Sequence, residues 1–275
     1  VLISAGLMRG VYATAAWSMM DDLRMVGATV PEDARAVRDG NIVTAIFPHD
    51  LPEFFHLIFE ALHDLEGRQP PDGYPERLSC QTWGIVVDNA SDAAQAFSLQ
   101  LRLTEEGGTP LLLGRKAGQE IKLSSPAWEW GELGLRTRVE RALPNPGVVA
   151  SCDTDAELDS QAVSAEDLDG LLLPGGLATW MIRGHPGLKK LAYDVNAAGK
   201  PIGAVGRGPK LLFLTGVLDG RALTCAPQMR DDVVHAVVPI EYRDEPVVRD
   251  GNLLTCQGTE DLPLFMRTLL TNYGG

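Results

Sequence analysis

Apolar residues recur at helical spacing at Phe54, Phe55, Ile58, Phe59 and Leu62, which predicts one amphipathic helix. Elsewhere they gather in short unbroken runs: Trp83 to Val87, Leu111 to Leu113, Leu171 to Leu173, and Ile202 to Val205. Runs of that length between polar segments predict strands buried on both faces. Between them lie helical stretches, an Ala-rich one from Ser91 to Glu106 that ends in Gly107-Gly108, and another from Pro186 to Ala198. Strands alternating with helices predict a mostly parallel sheet covered on both faces, with sites at the carboxyl ends of the strands. Residues 115–166 carry no readable period, and the acidic stretch from Asp153 to Asp169 reads as a solvated loop and helix.

The chain also repeats itself. At an offset of 210 residues, Gly6, Gly10, Thr14, Met19, Asp21 and Asp22 fall on Gly216, Gly220, Thr224, Met229, Asp231 and Asp232. At 211, Val37-Arg38-Asp39-Gly40-Asn41 falls on Val248-Arg249-Asp250-Gly251-Asn252, Asp50-Leu51-Pro52 on Asp261-Leu262-Pro263, and Phe54 on Phe265. Identities in this order indicate duplication. Each copy predicts a short strand (Tyr12 to Ala15; Ala222 to Cys225) and a helix opened by its Asp-Asp pair, where the helix dipole favours negative charge. A hairpin turning at Asp-Gly follows, then a closing helix with Asp50 or Asp261 near its cap. The Pro- and Gly-rich segment from Glu66 to Pro75 lacks periodicity and marks a boundary. The expected organisation is residues 1–65 as the back half of one unit, 66–79 as linker, and 80–275 as a complete second unit. The same offset puts the first copy's counterpart of Gly206 just ahead of Val1, and its opening strand roughly 130 residues further back.

The 275 residues are 45% hydrophobic and 22% charged, enough to bury a sizeable core. A formal net charge of −13 argues against nucleic acid and anionic membranes as general partners. No apolar run is long enough to span a bilayer, and no signal-peptide pattern is visible. The cysteines, Cys80, Cys152, Cys225 and Cys256, form no CxxC pair or metal-ligand spacing, and the expectation is free thiols in a reducing cytoplasm. No metal or cofactor is expected.

Three segments carry a family resemblance: Asp169-Gly170-Leu171-Leu172-Leu173-Pro174-Gly175-Gly176, Gly199-Lys200-Pro201-Ile202-Gly203-Ala204-Val205 leading into Gly208-Pro209, and the closing Val248 to Thr255 with Asp261-Leu262-Pro263. Together they resemble the DJ-1/ThiJ/PfpI superfamily, in a tandem arrangement with the first domain truncated. The resemblance implies a flavodoxin-like three-layer α/β/α fold of the class I glutamine amidotransferase type. Its chemistry rests on a strand–turn–helix elbow carrying Cys then His, with a Glu from the first helix beside the Cys, whose thiol is acidified by nearby N–H groups. Here the elbow reads Ala204-Val205-Gly206-Arg207-Gly208-Pro209, so Gly206 holds the Cys position, Arg207 the His position and Gln95 the Glu position. No catalytic residue is therefore expected in this chain. What persists is a cradle in which Gly175, Gly176 and Gly208 supply backbone N–H groups and Arg207 a charge, for a small anionic or carbonyl ligand. The alternative is that Gly206 relaxes the elbow and Arg207 points to solvent. Arg183, where relatives often carry Arg, is a second candidate to line the pocket.

Weaker candidates have plainer readings beside them. His56 and His63 are seven apart on the predicted helix, too few for a metal site. Cys225 is a displaced nucleophile or a buried hydrophobe. Trp128 and Trp130 shape a pocket mouth or pack in a core. Three functions follow from the resemblance: a non-catalytic scaffold or small-anion-binding unit; a cysteine-dependent peptidase or amidase, or a glyoxalase/deglycase-like enzyme, with its Cys-His elbow in the missing half; or a stress-related chaperone. The partner expected is a tandem domain of the same chain or a second copy.

Overall fold

The computed structural model describes residues 2–31, 34–46, 50–66, 76–124, 135–144 and 162–274. The chain divides into two units, Val1–Tyr74 and Pro75–Gly275. Trp128, Trp130, Cys152, most of the acidic stretch and the segment 67–75 lie outside the described residues.

The second unit is built on a seven-stranded sheet. In chain order its strands are β3 (Thr82–Val86), β4 (Thr109–Gly114), β7 (Arg141–Ala142), β8 (Gly170–Leu173), β9 (Ile202–Val205), β12 (Val247–Asp250) and β13 (Leu253–Cys256). Their order across the sheet is β12-β13-β9-β8-β3-β4-β7, parallel throughout except for the β12–β13 hairpin. Successive side chains of a strand point to opposite faces, and the apolar runs divide accordingly. Val86, Leu171, Leu173, Ile202 and Ala204 enter one core with Leu188, Leu191 and Val195 of the helix Pro186–Ala197. Trp83, Ile85, Leu172, Val205 and Leu254 enter the other. There they meet α3 (Ala93–Glu105) through Leu99 and Leu103, and α7 (Leu262–Tyr273) through Phe265, Met266, Leu269 and Leu270. The result is a three-layer α/β/α fold. Each fully buried Leu or Phe contributes about 1.5–3 kcal/mol of transfer free energy.

Of the remaining elements of this unit, α4 (Ala178–Ile182), α5 (Pro186–Ala197) and α6 (Arg230–Val234) are helices, β5 (Glu120–Lys122) and β6 (Arg136–Arg138) form an antiparallel pair, and β10 (Ala222–Leu223) pairs in parallel with β11 (Glu241–Tyr242). The unit begins earlier than the expected residue 80. Leu78 is buried in the core of α3 and α7, and its N–H donates to Glu106 O (2.8 Å). Glu106, buried at the end of α3, takes two donors from Arg77 (Nε 2.6 Å, Nη2 2.5 Å) and one from Arg102 (Nη2 2.9 Å). That pairing raises the pKa of Arg77.

The first unit holds α1 (Trp17–Met25), the hairpin β1 (Ala36–Asp39) and β2 (Ile42–Ala45), and α2 (Leu51–Glu66). Its bounds repeat those of β12, β13 and the start of α7 at the offset of 211. The bonding repeats too. Thr14 N–H donates to Thr44 Oγ1 at 2.9 Å, as Thr224 N–H does to Thr255 Oγ1 at 2.9 Å. Tyr12 N–H donates to Asp39 Oδ2 at 2.7 Å, as Ala222 N–H does to Asp250 Oδ2 at 2.8 Å.

Some expectations need correction. The strand expected at Tyr12 is a single bridge to Thr29, and its counterpart is two residues long. Asp21 and Asp22 do not open their helix, because α1 begins at Trp17. In the second copy Pro227 starts a 3₁₀ turn there, so Asp231 and Asp232 do fall in the first turn of α6. Asp261 stands at the N-cap of α7, but its side chain caps nothing. Residues 162–169 form a bridge and turns rather than a helix.

Candidate functional site

The elbow lies at the carboxyl end of β9, an inner strand of the sheet. β9 ends at Val205, and Gly206 turns the chain with φ +60°. That conformation costs a residue bearing a Cβ of the order of 1–2 kcal/mol, and glycine adopts it freely. The turn is pinned from both sides: Gly206 N–H donates to Cys256 O (2.9 Å) and Ala226 N–H donates to Gly206 O (2.8 Å). Beyond it the chain enters a 3₁₀ helix, Gly208–Leu212, instead of the longer helix expected. Gly208 packs so closely that a Cβ would stand 2.0 Å from Leu173 O.

Gln95, in the first turn of α3, reaches this point from 111 positions earlier in the chain. A Cβ at residue 206 would lie 3.1 Å from its Nε2. The side chain is buried and fixed at both ends. Gly175 N–H donates to Oε1 at 2.7 Å, and Nε2 donates to Thr259 Oγ1 at 3.3 Å. Asp92 caps α3 by accepting Gln95 N–H (3.0 Å), and burial raises its pKa. The structure thus brings Gly175, Gln95, Gly206 and Arg207 together: a Cβ on Gly175 would lie 2.9 Å from Arg207 N and 3.0 Å from Gln95 Oε1. It also changes the expected cradle, because the Gly175 N–H already has a partner in Gln95.

Gly176, with φ +91°, packs against the backbone of Ala90–Asp92. Arg207 is half-buried, and its guanidinium makes no ion pair among the described residues. Arg183 is exposed at the end of α4 and lies over the Trp180 ring (4.7 Å to the centroid). A second cation over that ring is Lys210, three residues past Arg207. Its Nζ is 3.6 Å from the ring centroid and 2.7 Å from Asp232 Oδ2. Lys210 is buried, and its charge is compensated where it stands. The sequence signal for it was a lone charge inside the run Pro209-Lys210-Leu211-Leu212.

A second polar cluster that sequence reading missed lies at the carboxyl ends of β3 and β4. Arg115 Nε donates to the buried Asp88 (2.7 Å), and Arg115 Nη2 donates to Met181 O (2.5 Å). His185 stands close by. Its Nδ1 is buried without a hydrogen-bond partner, and burial, then the Arg115 charge, lowers its pKa. A groove of about 510 Å3 between α3 and α7 is lined by Arg102, Arg267, Met266 and Thr259 among others, and its Thr259 is the residue that accepts from Gln95.

The thiols flanking the elbow are shielded. Cys225 and Cys256 are both buried, and burial pushes each pKa up to about 12. A buried thiol with its pKa raised to about 12 fits the buried-hydrophobe reading of Cys225. No group of three or more His, Cys, Asp or Glu able to hold a metal occurs among the described residues, and His56 pairs with Glu60 (3.2 Å). No helix among the described residues is long and apolar enough to cross a membrane.

A three-layer fold with a mostly parallel sheet and a left-handed turn after an inner strand has the backbone geometry of a nucleophile elbow. The chain belongs to the DJ-1/PfpI family, whose model matches residues 1–61 and 111–272, parts of both copies of the repeat. An uncharacterised protein of Archaeoglobus fulgidus is 30% identical over 161 residues, 58% of this chain and 95% of its own length. A deglycase of Pyrococcus horikoshii is 36% identical over 111 residues, 40% of this chain and 66% of that protein. Protein/nucleic acid deglycase 2 of Escherichia coli is 30% identical over 161 residues, 57% and 92% of the two chains. Among solved structures, Drosophila melanogaster DJ-1beta superposes with a TM-score of 0.57 at 21% identity, covering 72% of this chain and 92% of that one. A two-domain protein of Anabaena variabilis with DJ-1/ThiJ/PfpI-like and ferritin-like domains gives 0.57 at 23%, covering 71% and 49%. These structural likenesses speak for the fold alone.

Proposed function

We propose that the second unit is a non-nucleophilic member of the DJ-1/PfpI family, a scaffold or small-ligand-binding unit. The observation that carries this is Gly206: the elbow keeps its left-handed turn and its neighbours, but presents no side chain beside Gln95. Thiol chemistry needs an accessible thiolate, and the two cysteines next to the elbow are buried and protonated. A ligand at this elbow would be a small anion or carbonyl compound held by Arg207 and the Gly176 and Gly208 backbone. The Gly175 amide is already used, which favours the scaffold role over tight anion binding. Free Cys80, Cys225 and Cys256 suit a reducing cytoplasm.

Deglycase activity is the second reading, favoured by the names of the Pyrococcus and Escherichia relatives. It requires a thiol that the second unit's elbow lacks. The test is methylglyoxal consumption by the purified 275-residue protein, before and after thiol alkylation. The expected result is no turnover above buffer in either case, with Cys225 and Cys256 unlabelled until the protein is unfolded. Turnover abolished by alkylating the folded protein would overturn the scaffold reading.

A further inference from the structure

We propose that the first unit is half of a second domain of this family. Its open side is the seat for a front half-domain built like residues 76–209, on the same polypeptide and N-terminal to it. The internal repeat supplies the template. In the second unit β13 is an inner strand, pairing with β12 on one edge and in parallel with β9 on the other. All four of its residues are buried. Its counterpart β2 has the same hairpin partner and the same register, but the sheet ends there, and all four residues are only partly buried.

The uncovered surface continues on both faces of that hairpin. On the face where α3 meets α7 in the complete unit, Met266 and Leu270 are 2% and 3% exposed, and their counterparts Phe55 and Phe59 are 46% and 55% exposed. On the opposite face Val217 and Met229 are 1% and 2% exposed, against 52% for Leu7 and 50% for Met19. Large apolar side chains left open in a contiguous patch mark an interaction surface, and a free strand edge invites another strand. An occupant that covers both faces and the edge between them must extend the sheet and carry a layer on each side. Residues 76–209 do this for the second unit, through β9, α3 and α5.

The fit extends to the elbow. In the second unit Gly206 is held between Cys256 O and Ala226 N–H. The counterparts in the first unit are Ala45 and Ala16, so the seat includes a place for another elbow, whose residues the occupant would bring. The order of the second unit, front half then back half across Gly208–Leu212, puts the occupant on the same polypeptide. This inference stands apart from the reading of Gly206, and either can fail without the other.

Hydrogen–deuterium exchange tests it, on the 275-residue chain and on the polypeptide as its organism makes it. In the 275-residue chain, amides of Ile42–Ala45 and Leu51–Leu62 should exchange about 100-fold faster than those of Leu253–Cys256 and Leu262–Tyr273. In the natural polypeptide the two sets should come within about tenfold of each other. Phe59→Ser should leave the melting of the 275-residue chain unchanged and lower that of the natural polypeptide. Equal protection of the two sets in the 275-residue chain at every concentration would overturn the proposal, since the first unit would then need no occupant. Protection that rises with concentration would assign the face to a second copy instead. A natural polypeptide without a front half ahead of the first unit would also overturn it.

Discussion

At residue 206 one missing side chain has two effects, on chemistry and on backbone energy. Glycine removes any nucleophile, and it also relieves the strain that a Cβ at φ +60° would carry. Gln95 beside it spends its amide on Gly175 and Thr259. The elbow at Gly206 and Arg207, with Gln95 beside it, was legible from the motif. The use of the Gly175 N–H by Gln95 was not, because the two residues are 80 positions apart and no local pattern links them. His185 escaped notice for the same reason, since its setting is made by Asp88 and Arg115, which follow β3 and β4. Its pKa in the folded protein lies below the unfolded value of about 6.5. The unfolded state therefore binds the proton first as pH falls, so the stability this neutral imidazole contributes is present above about pH 6.5 and lost below it. Chemical denaturation at pH 7.5 and 5.5 should show a smaller acid loss for His185→Asn than for the parent chain. An equal or larger loss would mean that other groups set the acid limb.

Among the elements, the hairpins show what a repeated sequence preserves and what it does not. The Asp-Gly-Asn turn, the four-residue strands and the threonine bond are the same in β1–β2 and β12–β13, since all three are set by residues within the repeat. Burial differs, because it depends on what lies beside the hairpin. Thr255→Val should leave the fully buried Thr224 N–H without an acceptor, at a cost of about 1–3 kcal/mol. Thr44→Val orphans the Thr14 N–H in the same way, and Thr14 is itself only 2% exposed, so its cost should fall in the same range of about 1–3 kcal/mol. Urea unfolding followed separately for each unit would measure both, and a cost of Thr44→Val well under about 1 kcal/mol would show that water reaches the Thr14 N–H. The segment 115–166 resisted reading for a related reason. β5, β6 and β7 are two or three residues long, too short to show a period, and β5 pairs with residues 14 to 18 positions further along the chain.

For the whole molecule, the cores of the two units are unequal in a way that decides how the chain unfolds. The second unit buries residues on both faces of seven strands, in two extensive clusters. The fully buried cluster of the first is Met8, Ala13, Leu23 and Ala28, with Ile3, Val11 and Val30 packed against it. Stability is a small difference between large terms, and a small core leaves that difference near zero. Calorimetry of the 275-residue chain should therefore show two transitions, the lower one from the first unit. Phe265→Ala empties a wholly buried site in the second unit, at a cost of about 3–5 kcal/mol. At 2–4 °C per kcal/mol for a unit of this size, the upper transition should fall by roughly 10 °C and the lower should stay in place. Leu23→Ala should do the reverse, moving only the lower transition. If either variant shifts both transitions together, the two units unfold as one cooperative body. The uncovered faces of the first unit would then be stabilised by the second, and no additional half-domain would be needed to explain how it folds.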